Sequence, residues 1–399
     1  MNQLSTKALF FQNMAQTTLA PIALEIDRAE GVFLFDEKNR KYFDLISGIS
    51  VSSLGHQHPI VKDAILEQVN RNMHVMVYGE VVHNATVEFA TFLTQQLPES
   101  LNCVYFVNSG SEATDTAMKL AKRITGNSIF IAQRKSYHGS SQGPLSLMDD
   151  EYFTGKYRPL LNQVYFLNQN SEKEINDLPK SGVAAVILEL IQSERGALMA
   201  TQQYIDRIVD FCKQTGALLI VDEIQTGLYR TGIPFEFMRY NIVPDMILLG
   251  KSLGGGMPMG AVITNKTLMD QFAQNPILGH ITTFGGHPVC AAAGMAAISW
   301  IFNHASELEI EKKSQLFKTK LVHPLILGVS GQGLLLACHL DTKIQIIEFN
   351  QKLLQKGIFT DWFLFNMNAI RIAPPLIISL EEIEIICNLI LETLDEYCD

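Results

Sequence analysis

Two charged side chains stand directly behind apolar runs, where charge is costly to place. Asp222 follows ALLIV and Lys251 follows MILLG. Runs of that length suit buried strands, each delivering the next side chain at its carboxyl end. A lysine in such a place is expensive to bury as an ammonium, so its expected state is a neutral amine or a Schiff base.

The residues beyond the other apolar runs add Ser109-Gly110-Ser111, Tyr137-His138, Glu189 and Gln225. In open α/β sheets ligands sit beyond the carboxyl ends of the strands, so one pocket can hold the whole set. Ser109 and Glu112 have capping-box spacing, and Gly110 lets a ligand approach the backbone. A helix N-terminus with hydroxyls serves as an ordinary cap or as a phosphate site. Tyr137 and His138, in a glycine-flanked loop, either pack locally or stack on a planar ring. Glu189 closes AAVILE as a structural ion pair or as a functional carboxylate. A phosphate cradle, a stacking ring, a carboxylate for a pyridinium nitrogen and an amine are the parts that pyridoxal 5'-phosphate requires.

Competing motifs fail on spacing. Gly250-Lys251-Ser252 resembles the end of a phosphate-binding loop, but Asp245 stands where that loop needs its first glycine. Gly139-Ser140-Ser141-Gln142-Gly143 has the form of a nucleophile elbow, yet lies several residues past its strand. His56 and His58 have no third metal ligand nearby, so no metal is expected.

The elements that must position these residues follow from periodicity. Between about 85 and 265, apolar runs at 103–107, 128–132, 164–167, 184–188, 218–221, 246–249 and 261–264 alternate with helical patterns. That is the signature of a seven-stranded, mostly parallel α/β sheet covered by helices. The last run follows its predecessor too closely for a helical crossover and is expected to be antiparallel. GVFLFDEKNRKYFDL reads as a hairpin at the edge of a smaller α+β domain. After GHITTFGGHP, AAAGMAAISWIF reads as a helix leading out of the large domain, and LLLACHL and AIRIAPPL read as strands. The expected division is 1–50 as an N-terminal part of the small domain, 51–295 as the large domain, and 296–399 as the C-terminal small domain.

Composition narrows the class of partner. With 31 Lys and Arg against 41 Asp and Glu, the net charge is -10 and no basic block stands out, which argues against nucleic acid and anionic membranes. The six cysteines are scattered and lie mostly in apolar runs, as reduced thiols do, and no run is long enough to span a bilayer. A cytoplasmic protein working on small molecules is expected.

The stretches VNSGSEATDTAMKLAK, SYHG, LELIQSERG, LLIVDEIQTGLYRTG, LLGKSLGGGMPMGAVI, HITTFGGHPVCAAAG and IRIAPPL carry a family resemblance. The chain resembles the class III (subgroup II, ω-type) aminotransferases, in particular the acetylornithine and ornithine enzymes. The resemblance implies fold type I and a ping-pong transfer from an ω-amino acid or amine to a 2-oxo acid such as 2-oxoglutarate. It makes Lys251 the aldimine lysine, Asp222 the pyridinium partner and Gln225 the contact to the ring 3-oxygen. Tyr137 would stack on the ring, with His138 beside it in the cofactor set, and Gly110 and Ser111 would take the phosphate. Thr283 would reach that phosphate from a neighbouring subunit, which implies a homodimer with shared sites. Arg371, which on its residues alone could equally snorkel from an edge strand, would bind the α-carboxylate of glutamate or 2-oxoglutarate. Glu194 would cover it when an ω-amino donor is bound, and Glu189 would complete the substrate wall.

The chain departs from that pattern where the substrate is chosen. Ser140 replaces a carboxylate-binding arginine, Leu190 a proline, Ser193 a glycine and His287 an asparagine. Arg195 replaces a small residue and either supplies the missing positive charge or faces solvent. The same lysine would also serve an aminomutase, epimerase or decarboxylase, and the fold could bind the cofactor without turnover.

Overall fold

The protein is described by a computed structural model covering residues 4–77 and 79–398. The apolar runs form one seven-stranded sheet. Its order is Cys103–Val107, Gly260–Thr264, Met246–Leu249, Leu218–Asp222, Val183–Leu188, Ile129–Gln133 and Val164–Leu167. Gly260–Thr264 is antiparallel to both neighbours, as its short connection requires, and the other pairings are parallel.

Both faces of this sheet are covered. Met246 and Leu248 pack with Ile220, Ala113 and Ala117 on one side, while Ile247 and Leu249 pack with Val221 and Ala293 on the other. Successive strand side chains point to opposite faces, so a strand buried on both sides must be apolar at every position. Each fully buried Leu or Ile contributes about 1.5–3 kcal/mol, which fixes the strand register and hence where the polar residues at the strand ends emerge.

The helix Gly110–Thr125 starts at Ser109, whose Oγ accepts the Glu112 N–H at 3.2 Å, and ends at Gly126 in the left-handed region (φ 68°). The capping box expected between Ser109 and Glu112 closes one residue earlier. The Glu112 carboxylate accepts from the backbone N–H and side-chain amide of Asn108, at 2.7 and 2.9 Å. The strand-to-helix turn is therefore tied down at Asn108.

The expected hairpin is present as Phe33–Asp36 and Lys41–Asp44, and its turn is held by the Asp36 carboxylate accepting from the N–H groups of Lys38 and Arg40. Lys41–Asp44 also pairs in parallel with Ile358–Phe359 near the other end of the chain. A further edge strand, Ile26–Glu30, shows no apolar alternation because four of its five residues are exposed. The C-terminal region forms an antiparallel sheet in the order Ile326–Gln332, Leu335–Leu340, Asn366–Ile372, Trp362–Phe363. Helix Pro288–Asn303, expected from its alanine-rich sequence, packs on Pro59–Arg71. Among the described residues, no helix is long and apolar enough to cross a membrane and no cluster of His, Cys, Asp or Glu is placed to hold a metal.

Candidate active site

The carboxyl ends of the strands open into a cavity of about 240 Å³ lined by Ser111, Tyr137, Glu189, Glu194, Asp222 and Lys251, among others. Gly110, His138, Gln225 and Ser193 also line it. The strand-end residues singled out from the sequence thus share one space. Thr283, Arg195, Ser140 and Arg371 do not line it.

Lys251 follows Met246–Leu249 and takes a left-handed backbone conformation (φ 47°), which turns its side chain from the strand into the cavity. Its Nζ donates to Gln225 Oε1 and forms no ion pair among the described residues. Burial pushes the amine down to about 8, only partly offset by the charge of Glu194.

Asp222 ends its strand on the other side of the same space. Oδ1 accepts the Ile224 N–H at 3.0 Å, and Oδ2 lies 2.7 Å from His138 Nδ1. Burial of His138 opposes its charged form, but the hydrogen bond and charge of Asp222 outweigh this and raise its pKa. His138 is fully enclosed with its Nδ1 on the Asp222 carboxylate, and it lines the same cavity as Tyr137.

The helix N-terminus forms the third wall. Ser141 donates its hydroxyl to Asp115 and its N–H to Ser111 Oγ, which leaves the Ser111 hydroxyl donating to Ser141 Oγ at 2.7 Å. A Cβ on Gly139 (φ 125°) would lie 2.4 Å from Ser111 Oγ, and one on Gly110 would lie 2.7 Å from Ile224 Cδ1. Only glycine lets these two segments come together.

Tyr137 donates its N–H to Glu189 Oε1 at 3.1 Å, and its hydroxyl meets Ser140 Oγ at 3.0 Å. Glu189 forms no ion pair among the described residues: it takes the N–H groups of Tyr137 and Ser193, and burial pushes it up to about 7.

Glu194 and Arg371, far apart in sequence, meet across the two sheets. Arg371 Nη1 is 3.0 Å from Oε1, and Nη2 donates to Oε2 at 3.2 Å. Glu194 also accepts the Leu364 N–H at 3.0 Å. Burial disfavours its charge, but Arg371 more than compensates and lowers its pKa. Arg371 is 2% exposed, and a second carboxylate holds it from the other side, with Asp361 Oδ1 2.7 Å from Nε. Asp361 escaped the sequence reading because nothing in TDWF marks it as facing a strand residue ten positions on. Arg195 turns its guanidinium to Gln192 Oε1 at 3.3 Å, since successive side chains of the tight turn Ser193–Arg195 diverge. Thr283 is exposed, next to Thr282, which accepts from Asn108 Nδ2.

A planar group with a phosphate tail fits these residues: the glycine-lined cradle suits the phosphate, the buried carboxylate a ring nitrogen, and the amine near neutrality an aldehyde. Fold and cavity together define a pyridoxal-phosphate enzyme of the α/β type. Residues 14–394 match the family described as Aminotransferase class-III, and the chain belongs to it. It is 31% identical over 366 residues to the acetylornithine aminotransferase of Bacillus cereus, covering 90% of this chain and 92% of that one. It is 33% identical over 361 residues to the enzyme of that name from Methanopyrus kandleri, covering 89% and 90%. Among solved structures, the ornithine aminotransferase of Toxoplasma gondii superposes with a TM-score of 0.89 at 26% identity, over 99% of this chain and 96% of that one. The protein is a pyridoxal-phosphate-dependent aminotransferase acting on a small-molecule amino donor and acceptor.

Proposed function

We propose that the enzyme moves an amino group from an ω-amino acid or amine to a 2-oxo acid such as 2-oxoglutarate, in two half-reactions at one site. The observation that carries this reading is the Glu194–Arg371 pair at the cavity wall. A buried arginine that is already capped is an idle carboxylate receptor, and a glutamate is the kind of cap an incoming carboxylate can displace.

Bound in the cavity, pyridoxal phosphate supplies an aldehyde that takes up the amino group and a ring that accepts the electrons of a breaking C–H bond. Asp222 would hold a proton on the ring nitrogen, with His138 fixing the carboxylate. Lys251 Nζ would carry the proton away from the substrate carbon and return it elsewhere, a task suited to an amine near neutrality. Ser111 and the N–H groups at Gly110 would hold the phosphate, Gln225 would orient the ring oxygen, and Tyr137 would cover the ring and exclude water. Glu194 would stay on Arg371 while an ω-amino donor reacts and leave it when the 2-oxo acid arrives. Replacing Arg371 with Ala tests this: the KM for 2-oxoglutarate is expected to rise about 30- to 100-fold. An unchanged KM would sink the reading.

The working unit we propose is a homodimer. Support comes from exposed apolar side chains at Met73, Val82, Ile277 and Phe284, the last adjacent in sequence to the exposed Thr283 and with its ring 5.0 Å from that of His74. Thr283 would then serve the neighbouring phosphate site. Six free cysteines suit a reducing, cytoplasmic setting. The pairing of Lys41–Asp44 with Ile358–Phe359 supports grouping 1–50 with 296–399 as the small domain, beside a large domain of 51–295.

A further inference from the structure

Charge around the cavity is unbalanced. Three carboxylates line it, on Glu189, Glu194 and Asp222, against Lys251, which is the reacting amine, and His138, which is committed to Asp222. Asp222 is matched by His138, but Arg371, just behind the wall, is outnumbered by Glu194 and Asp361. Arg195 cannot redress this, because it neither lines the cavity nor points to it. At position 140 the residue beside Tyr137 is a hydroxyl, not a guanidinium. Among the described residues, none that lines the cavity offers an unengaged cation to a carboxylate at the far end of the donor.

Ser193 supplies the second observation. It is 1% exposed, it lines the cavity, and its Oγ has no hydrogen-bond partner among the described residues. Its backbone N–H is already committed to Glu189 at 3.3 Å, so the side chain is held in place while its hydroxyl is left open. A buried hydroxyl without a partner costs about 1–3 kcal/mol, and a ligand that brings an N–H removes that cost. The backbone would accept glycine here with no such debt.

We infer that the donor carries a second ammonium where an amino acid donor would carry a carboxylate, that is, an α,ω-diamine, and that Ser193 Oγ accepts from this distal nitrogen. Resting on the transamination reading above, the assignment follows from complementarity: Glu189, which holds the Ser193 N–H and has no cationic partner among the described residues, favours the distal ammonium and disfavours a carboxylate. Ser140, whose hydroxyl meets that of Tyr137, is the position where a cation would reverse the choice. Glu194 can remain on Arg371 throughout the donor half-reaction, since no carboxylate competes for it.

The test compares donors of matched length on the full-length, cofactor-loaded enzyme: 1,5-diaminopentane against 5-aminopentanoate, scored by conversion of the cofactor to its amine form. The diamine is expected to react with a kcat/KM at least about tenfold higher. Ser140→Arg should narrow or invert that ratio. Ser193→Ala should raise the KM for the diamine about fivefold or more. It should also leave the donor-free protein at least as heat-stable as before, because the lost hydroxyl had no partner. A purely structural Ser193 would instead lower the melting temperature and weaken both donors alike. Equal or better reaction of 5-aminopentanoate, or no conversion by either amine, would overturn the inference. L-glutamate as a third donor separates the two claims. Diamine conversion without glutamate conversion sustains this inference and removes the acceptor assignment, whereas glutamate conversion with the diamine inert does the reverse.

Discussion

Lys251 and Asp222 leave adjacent parallel strands of one sheet, whereas Glu194 leaves a tight turn and Arg371 a strand of a separate sheet. The first pair owes its spacing to strand register. Ile220 lies opposite Met246 and Asp222 opposite Leu248, and apolar side chains on both faces make a slip prohibitive. The second pair owes its spacing to docking between sheets and to charge, with one arginine shared by Glu194 and Asp361. On the proposed reading, the chemistry is mounted on the rigid part and the choice of substrate on the part held by exchangeable ionic contacts. A family can therefore keep one reaction and vary its substrates by changing a few residues of the second set.

The comparison is broken most severely at Lys251. Lys251→Ala is expected to lower turnover by at least about 10³-fold in stopped-flow half-reactions, whichever substrate is offered. Asp222→Asn comes next, with kcat down about 10²- to 10³-fold for donor and acceptor alike, since a preorganised charge on the cofactor side serves both half-reactions. The same change should lower the His138 pKa, followed by NMR, because Asp222 is what raises it against burial.

Arg371→Ala sharpens the contrast, since its kinetic effect should fall on the 2-oxo acid and spare an ω-amine donor. It also strands the buried Glu194 and the half-buried Asp361, so chemical denaturation should show a loss of about 3–5 kcal/mol. A milder probe is pH. Burial pushes the Lys251 amine from 10.5 down to about 8, so the rate at which stripped enzyme takes up cofactor should rise about tenfold per pH unit below 8 and level off above it. Over the interval between those values the unfolded chain holds more protons than the folded one. Stripped enzyme should therefore gain stability as pH rises through it. The smallest effect belongs outside the site. Gly126 ends its helix in the left-handed region with nothing within 4 Å, so Gly126→Ala should cost about 1 kcal/mol in melting experiments and leave kinetics unchanged.

The rigid half was legible because burial writes itself into sequence. Seven strands appear as apolar runs, the inner five buried on both faces, and each polar residue that ends a run stands out against it. The other half left a weaker trace. The Glu194–Arg371 pairing came from family resemblance, since no periodicity links a turn residue to a strand so distant in sequence. Asp361 and the open hydroxyl of Ser193 were invisible because their meaning lies in the contacts they make, or lack, in three dimensions. The contact of His138 with Asp222 left no trace either, because side-chain direction is something residue type does not encode. The hairpin was readable from its turn residues, but its parallel partner was not, because Ile358–Phe359 is only two residues long.

That last pairing bears on how the protein is made. Synthesis runs from the N-terminus, so every strand of the large sheet has been made by Thr264, and that sheet can assemble while the rest of the chain is still on the ribosome. Lys41–Asp44 has no such option. It emerges among the first elements and waits for Ile358–Phe359, among the last. Until Ile358–Phe359 is made, this hairpin presents an unpaired strand edge where a chaperone would engage a nascent copy, and a ribosome stalled between Thr264 and Ile358 would release a product whose seven-stranded sheet is complete but whose hairpin lacks its seat.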